Sequence, residues 1–293
     1  MEQNFDTQKN EPVPAYSIKA IIPKFLENFN VLFWDSEGSK NKKPGGLASG
    51  FYALDMMAGG LNQSELIIIG GSAGIGKTSF ALSMLENISV QRHISAAYFS
   101  LQMSRLQLTE RLISSVSGFD PAKIRSGLMQ YKDLHKIYEA ADKLYKSPLA
   151  IVDADPIIFL DDIISLAQEL REKEKIDIIF IDEMSFIGLP DADSLNQDEK
   201  IVKIVQSLKE LAMELNIPVV VTTTLDQPEL GRLHPLEKAA DLILWIDREP
   251  PNLMAAIYPS NVVTRFTLLK NKHGPKGIFY ALFYPPNTKF GNI

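Results

Sequence analysis

The sequence predicts an α/β fold with a central, mainly parallel sheet and antiparallel strands at its C-terminal end. Three observations carry this. Short apolar runs alternate with amphipathic stretches of ordinary helix length through most of the chain. Two of those runs, 66–69 and 178–181, lead into a glycine-rich stretch and into Asp182, the form of buried parallel strands with polar C-terminal ends. From 242 onward the strand-like runs crowd together with little room for helices between them.

Composition bounds the rest. At 293 residues, 45% hydrophobic and 23% charged, the chain can bury a large core in one or two domains. A formal net charge of -6 argues against a globally basic nucleic-acid coat. Cysteine is absent, which excludes disulfides, thiolate zinc sites and cysteine nucleophiles. The four histidines are scattered and offer no structural metal cluster. No apolar run reaches the roughly 18 residues of a spanning helix. The first residues, MEQNFDTQKN, lack a signal-peptide core. A cytoplasmic location with no membrane association is the expectation.

Taken in order, residues 1–15 read as a tail. Ile18, Ile21, Ile22, Phe25, Leu26 and Phe29 recur at helical spacing, with Pro23 starting or kinking the helix. Residues 35–50 read as a flexible connector. Strands are expected at 66–69, 95–100, 149–153, 176–182, 217–225, 242–247, 254–258, 263–269 and 278–284. Helices are expected at 77–88, 105–117 after a Ser104 cap, a short one from Asp120-Pro121, then 131–145, 159–174 and 199–215. Domain organisation follows as 1–48 for tail, helix and connector, and 49–293 for one nucleotide-binding domain.

The chemistry concentrates at 66–80, LIIIGGSAGIGKTSF. Gly71, Ser72, Ala73, Gly74, Ile75, Gly76, Lys77, Thr78 and Ser79 complete a strand, glycine loop and helix start of the form G-x-x-x-x-G-K-[ST]. Without Cβ atoms at the glycines, backbone N–H groups can curl round a phosphate, and the helix directs its positive end at the same anion. Lys77 is expected to reach the β- and γ-phosphates of ATP, and Thr78 to hold Mg2+. Asp182, closing the second apolar strand, is the expected partner of that ion, with Glu183 beside it. A purely structural glycine turn and a loop-capping carboxylate are the bland alternatives.

Beyond these motifs the sequence resembles a known family. The segments S-G-F-Y-A-L-D at 49–55, Y-F-S-L-Q-M at 98–103, K-I-R-S-G at 123–127, I-D-I-I-F-I-D at 176–182, S-L-K-E-L-A-M-E-L-N-I-P-V-V at 207–220, A-D-L-I-L at 240–244 and K-N-K-H-G-P-K-G at 270–277 occur in the family's order. Together with the phosphate loop they are similar to the C-terminal RecA-like motor domain of DnaB-type bacterial replicative DNA helicases. That resemblance implies a RecA-like P-loop NTPase that binds ATP and Mg2+, works as a ring of six or a helical homo-oligomer, translocates on single-stranded DNA and meets other replication proteins. It places the 18–29 stripe where the family has a linker helix that packs on the adjacent subunit.

Four positions depart from the family pattern. Gln102 stands where the family has a water-activating glutamate; an amide orients water but cannot take its proton. Weakened hydrolysis is therefore the favoured expectation, with Gln102→Glu expected to raise the rate, and a takeover by Glu183 is the alternative. Thr224 stands where the family has a glutamine that senses the γ-phosphate. Lys272 stands at the arginine-finger position, while Lys270 keeps the preceding basic one; a lysine lacks the two-pronged arginine geometry. The loop 188–200 carries Asp191, Asp193, Asp198 and Glu199 against one lysine, and 226–240 offers Arg232 as its only arginine. Single-strand binding is accordingly expected to be weak. Against this, 250–293 has no acidic residue but holds Arg265, Lys270, Lys272, Lys276 and Lys289; a phosphate contact across a subunit interface explains Lys270 and Lys272 best, with a DNA-facing patch as the runner-up and plain solvated surface as the bland alternative. The competing function is a hydrolysis-impaired ATP-binding relative acting as an assembly or regulatory factor. A small-molecule kinase fits less well, because no arginine-rich lid is present.

Overall fold

The computed structural model describes residues 22, 45–127, 129–153, 158–190, 195–225, 234–248 and 261–293. Over these residues the elements run α1 (Tyr52–Ala58), β1 (Leu66–Gly71), α2 (Lys77–Leu85), β2 (Ala96–Ser100), α3 (Arg105–Ser117), α4 (Pro121–Ser126), α5 (Leu134–Tyr145) and β3 (Leu149–Asp153). They continue with β4 (Ile158–Phe159), α6 (Leu160–Lys173), β5 (Ile178–Asp182), β6 (Ile187–Gly188), α7 (Gln197–Leu215), β7 (Val219–Thr224) and α8 (His234–Glu237). The chain closes with β8 (Leu242–Arg248), β9 (Val262–Asn271), β10 (Gly277–Tyr284) and β11 (Lys289–Asn292).

One sheet has the order β11-β10-β9-β8-β1-β7-β5-β2-β3. The strands from β8 to β3 pair in parallel, and β9, β10 and β11 are added antiparallel. Strand periodicity sorts each side chain to a face. Ile67, Ile69, Tyr98 and Phe180 join Phe80, Leu85, Leu108 and Leu112 in one core, under α2 and α3. Leu66, Ile68, Phe99 and Ile181 join Ile163, Ala167, Leu208 and Leu211 in the other, under α6 and α7. This is the expected α/β architecture, with a mainly parallel sheet and antiparallel C-terminal strands.

Local chemistry sets the helix ends. Ser104 and Gln107 form a reciprocal capping box at the start of α3. Asp120 caps α4 through the Ala122 amide at 2.7 Å, with Pro121 at the first helical position. Asn216, left-handed at φ 52°, ends α7.

Several expectations need correction. The connector 35–50 is ordered at its C-terminal end: Leu47 bridges Leu61, and Ser49 is buried. The helix expected over 77–88 gives way at Glu86 to a π turn through Val90. Helix α1, strand β11 and the two-stranded β4–β6 pair are additions to the elements read from sequence. The strand expected at 254–258 lies outside the described residues. So do the 18–29 stripe, except for half-exposed helical Ile22, and segments 191–194 and 226–233 of the two acidic or short loops. Among the described residues no helix is long and apolar enough to cross a membrane.

Candidate nucleotide site

The C-terminal ends of the central parallel strands converge on a cleft of about 680 Å³ lined by residues 73–79 and by Gln102, Gln107, Glu110, Arg111, Glu183, Thr224 and Phe283, among others. The glycine loop forms one wall. Gly74 sits at φ +72°, and a Cβ added there would meet no atom within 4 Å, so the loop's crest is open. Gly76 sits at φ +113°, and an added Cβ would lie 3.1 Å from the Phe290 ring. Only glycine takes both that dihedral and that approach without strain. Phe290 belongs to β11, and its amide is bound by Ser83 Oγ of α2 at 2.9 Å. The C-terminal strand thus underpins the loop.

Lys77 opens α2 and is 5% exposed. Its Nζ donates to the Ser72 carbonyl at 3.2 Å and lies 3.8 Å from Glu183 Oε2. Burial pushes its pKa down, partly offset by the Glu183 and Asp182 carboxylates. This ammonium is desolvated and incompletely paired, a setting that favours an incoming anion.

Thr78 Oγ1 donates to Asp182 Oδ1 at 3.1 Å, joining the loop to the end of β5. Asp182 is 1% exposed and is held by two further hydroxyls: Tyr98 to Oδ2 at 3.0 Å and Thr222 to Oδ1. Burial, with the carboxylate beside it, raises the Tyr98 pKa well above its ordinary value, so the phenol remains a donor. Neither Tyr98 nor Thr222 was singled out from sequence. The signal was present in the strand pairing: Tyr98 lies two residues before Ser100, which registers opposite Asp182.

The residues present suit a triphosphate with magnesium. An open crest of backbone, a buried cation, and a hydroxyl next to a carboxylate stand together on one rim. Among the described residues no group of three or more His, Cys, Asp or Glu could hold a metal alone. Magnesium needs none when phosphates and water complete its shell.

Gln102 lines the same cleft and is exposed. Thr224 also lines it, and its backbone N–H donates to Glu183 Oε1 at 3.0 Å. Lys270 and Lys272 stand elsewhere. Lys270 is in the end of β9 that registers with Leu242 and Ile243, and Lys272 follows directly after that strand, at the opposite end of the central strands from this chain's own phosphate loop. Lys270 Nζ donates to the carbonyls of Glu237 and Ala240, and Lys272 Nζ pairs with Asp241 at 3.1 Å while staying 59% exposed. The cleft also contains Glu110, Arg111 and Arg125, which sequence reasoning passed over; Arg125 pairs with Glu110 at 2.9 Å.

Comparison with known proteins gives the family. The family model for the DnaB-like helicase C terminal domain matches residues 46–292. The replicative DNA helicase DnaB of Treponema pallidum (strain Nichols) is 37% identical over 256 residues, covering 84% of this chain and 56% of that protein. A probable replicative DNA helicase of Trieres chinensis is 32% identical over 273 residues, covering 86% and 58%. The chain therefore spans little more than half the length of these relatives. Among solved structures, an ATPase domain superposes with a TM-score of 0.81 at 22% identity, covering 96% of this chain and all of that one. A DnaB-like replicative helicase, described with its interactions with primase, gives 0.76 at 23% identity, covering 96% and 68%. These two likenesses establish the fold, a RecA-like domain. The family match over nearly all of the described chain establishes kinship: the protein belongs to the DnaB-like helicase C-terminal domain family.

Proposed function

We propose that the chain is an ATP-driven motor domain of the replicative helicase type, comprising residues 49–293 behind an N-terminal tail, helix and connector. It binds ATP with Mg2+ at 71–79, assembles head to tail and moves on single-stranded DNA. One observation carries the reading: Lys77 and Thr78 line one glycine-walled cleft, and Asp182, more than a hundred positions away in sequence, lies buried behind Thr78 with its Oδ1 3.1 Å from Thr78 Oγ1.

The residues divide the work. Backbone N–H groups of the loop and the start of α2 receive the phosphates. Lys77 exchanges the Ser72 carbonyl and the distant Glu183 carboxylate for phosphate oxygens. Thr78 and Asp182 hold the ion's side of the site, directly or through water. Magnesium, when bound there, would supply compensation for the negative charge of the phosphates. Lys272 reaches a neighbour's nucleotide: its bond to Asp241 is dispensable, because Lys209 also holds that carboxylate, at 2.6 Å. Lys270 shapes the same edge through the carbonyls it binds. A heterologous contact of this kind closes into a ring or continues as a helix; a ring of six is the first expectation. Light scattering across a concentration series with ATP–magnesium tests it, and a strict monomer contradicts it.

A second reading, a hydrolysis-impaired assembly or regulatory factor, is favoured by two observations. The cleft presents the amide of Gln102, and Lys272 replaces the planar guanidinium. Steady-state ATP hydrolysis with and without single-stranded DNA separates the two. The motor reading requires turnover that DNA stimulates; the factor reading requires nucleotide binding without it. Weak single-strand binding with a shallow salt slope, about 0.7 per phosphate contact, belongs to either.

A further inference from the structure

Two carboxylates line the cleft among the described residues, Glu110 and Glu183. They are not equivalent. Glu110 Oε1 is engaged by Arg125 at 2.9 Å. Glu183 Oε1 accepts from the Thr224 amide at 3.0 Å and from Ser185 Oγ at 2.8 Å, so one oxygen is clamped by two donors from two different segments. Its other oxygen, Oε2, lies 3.8 Å from Lys77 Nζ, beyond hydrogen-bond length, and no donor of the described residues bonds it. The clamp fixes the rotamer, burial holds the side chain at 6% exposure, and the free oxygen faces the ammonium that receives the phosphates. An acceptor with unused capacity, locked beside the phosphate site, suits a hydrogen bond from a water molecule.

We propose that Glu183 is the catalytic residue that orients the attacking water, in place of a carboxylate at position 102. This rests on the reading of the cleft as an ATP–magnesium binding site. The water accepted by Oε2 donates its oxygen lone pair to the γ-phosphorus. That new P–O bond forms as the bond from the γ-phosphorus to the β,γ-bridging oxygen breaks, and the bridging oxygen leaves with ADP carrying the electron pair. Both water protons depart on the product phosphate, so ATP⁴⁻ and H₂O give ADP³⁻ and H₂PO₄⁻. Glu183 accepts a hydrogen bond throughout and is unchanged at the end. Thr224 acts through its backbone amide, which any residue supplies, so the shorter side chain at that position does not weaken the clamp. Gln102, exposed in the same cleft, is left with amide contacts to the bound nucleotide or water.

The test uses the whole chain with ATP and magnesium, as wild type, Glu183→Ala and Glu183→Gln. Three quantities are read: affinity for a fluorescent ATP analogue, turnover, and the ATP-to-ADP ratio of protein-bound nucleotide after incubation. The expected result is that Glu183→Ala keeps nucleotide affinity within about threefold and loses roughly 10²-fold in turnover, the cost of a misplaced nucleophile. Its bound nucleotide remains ATP, where the wild type holds mostly ADP. Glu183→Gln, whose amide oxygen still accepts, falls between. Glu183→Ala turning over at the wild-type rate with nucleotide bound overturns the proposal, as does a wild type that binds ATP and leaves it intact. If Glu183→Ala fails to fold by circular dichroism, Glu183→Gln decides, and wild-type turnover there overturns the proposal. Failure of the underlying reading is distinguishable: the wild type then binds no nucleotide at all.

Discussion

At the C-terminal end of the parallel strands, Lys77 is buried with a carbonyl at 3.2 Å and a carboxylate no nearer than 3.8 Å. At the N-terminal end, buried Asp241 is bound by the Leu66 amide at 2.9 Å, Lys209 at 2.6 Å and Lys272 at 3.1 Å. Burial pushes the Asp241 carboxyl up, but these donors outweigh it and hold its pKa below the usual carboxylate value. Beside it, His273 Nε2 meets Glu65 at 2.8 Å. Both ends bury charge within the same sheet. One end leaves it under-satisfied and opens a cleft over it; the other saturates it with donors. Burial of charge alone therefore does not mark a functional site. Unused bonding capacity beside open volume does.

Lys77→Ala should have the greatest consequence. Removing a buried charge partner of a bound anion costs about 2–5 kcal/mol, so affinity for a fluorescent ATP analogue should fall by about 30-fold to several thousand-fold. Unchanged affinity would erase the contrast between the two ends. Phe290→Ala removes a 2% exposed ring from beneath Gly76. It should lower unfolding free energy by about 3–5 kcal/mol and weaken nucleotide binding as well, because the loop loses its floor. Denaturant melts and the same titration read both effects.

Asp241→Asn should cost about 3 kcal/mol by leaving Lys209 with the Ser64 carbonyl but no opposite charge, yet leave nucleotide affinity unchanged. The pH dependence has a definite sign. The folded-state pKa is depressed, so this carboxylate's contribution is complete above its unfolded pKa of about 3.9 and is lost as pH falls through the folded value. Acid unfolding of the wild type should therefore contain a step absent from the variant. The mildest change is Asn216→Ala at the left-handed end of α7, φ 52°. Denaturant melts should show a loss of about 1 kcal/mol, with Asn216→Gly near neutral and the ligand chemistry of both ends untouched.

Much of this was legible in the sequence for a physical reason. Buried parallel strands read as continuous apolar runs, so β1, β2 and β5 stood out, and the glycine spacing marked the turn between β1 and α2. The Ser104 and Asp120 caps were readable because capping is local. What stayed hidden depends on long-range partners. Strand β11, KFGN, is short and carries a glycine, and only pairing with β10 makes it a strand. Its role under Gly76 follows from the approach of Phe290, more than two hundred positions away in sequence. The same holds for Glu86, buried in the π turn and bound by Lys289 at 2.6 Å. The Glu183 clamp was equally hidden, since one of its donors, the Thr224 amide, comes from another strand.

Everything proposed for the C-terminal end depends on its cleft being an ATP–magnesium site. Calorimetric titration of the whole wild-type chain with ATP, in magnesium and then in excess chelator, decides it. Saturable binding of one nucleotide per chain is expected, weakening when magnesium is withdrawn and vanishing in Lys77→Ala. Absence of saturable binding in magnesium, or binding indifferent to Lys77, would refute the site.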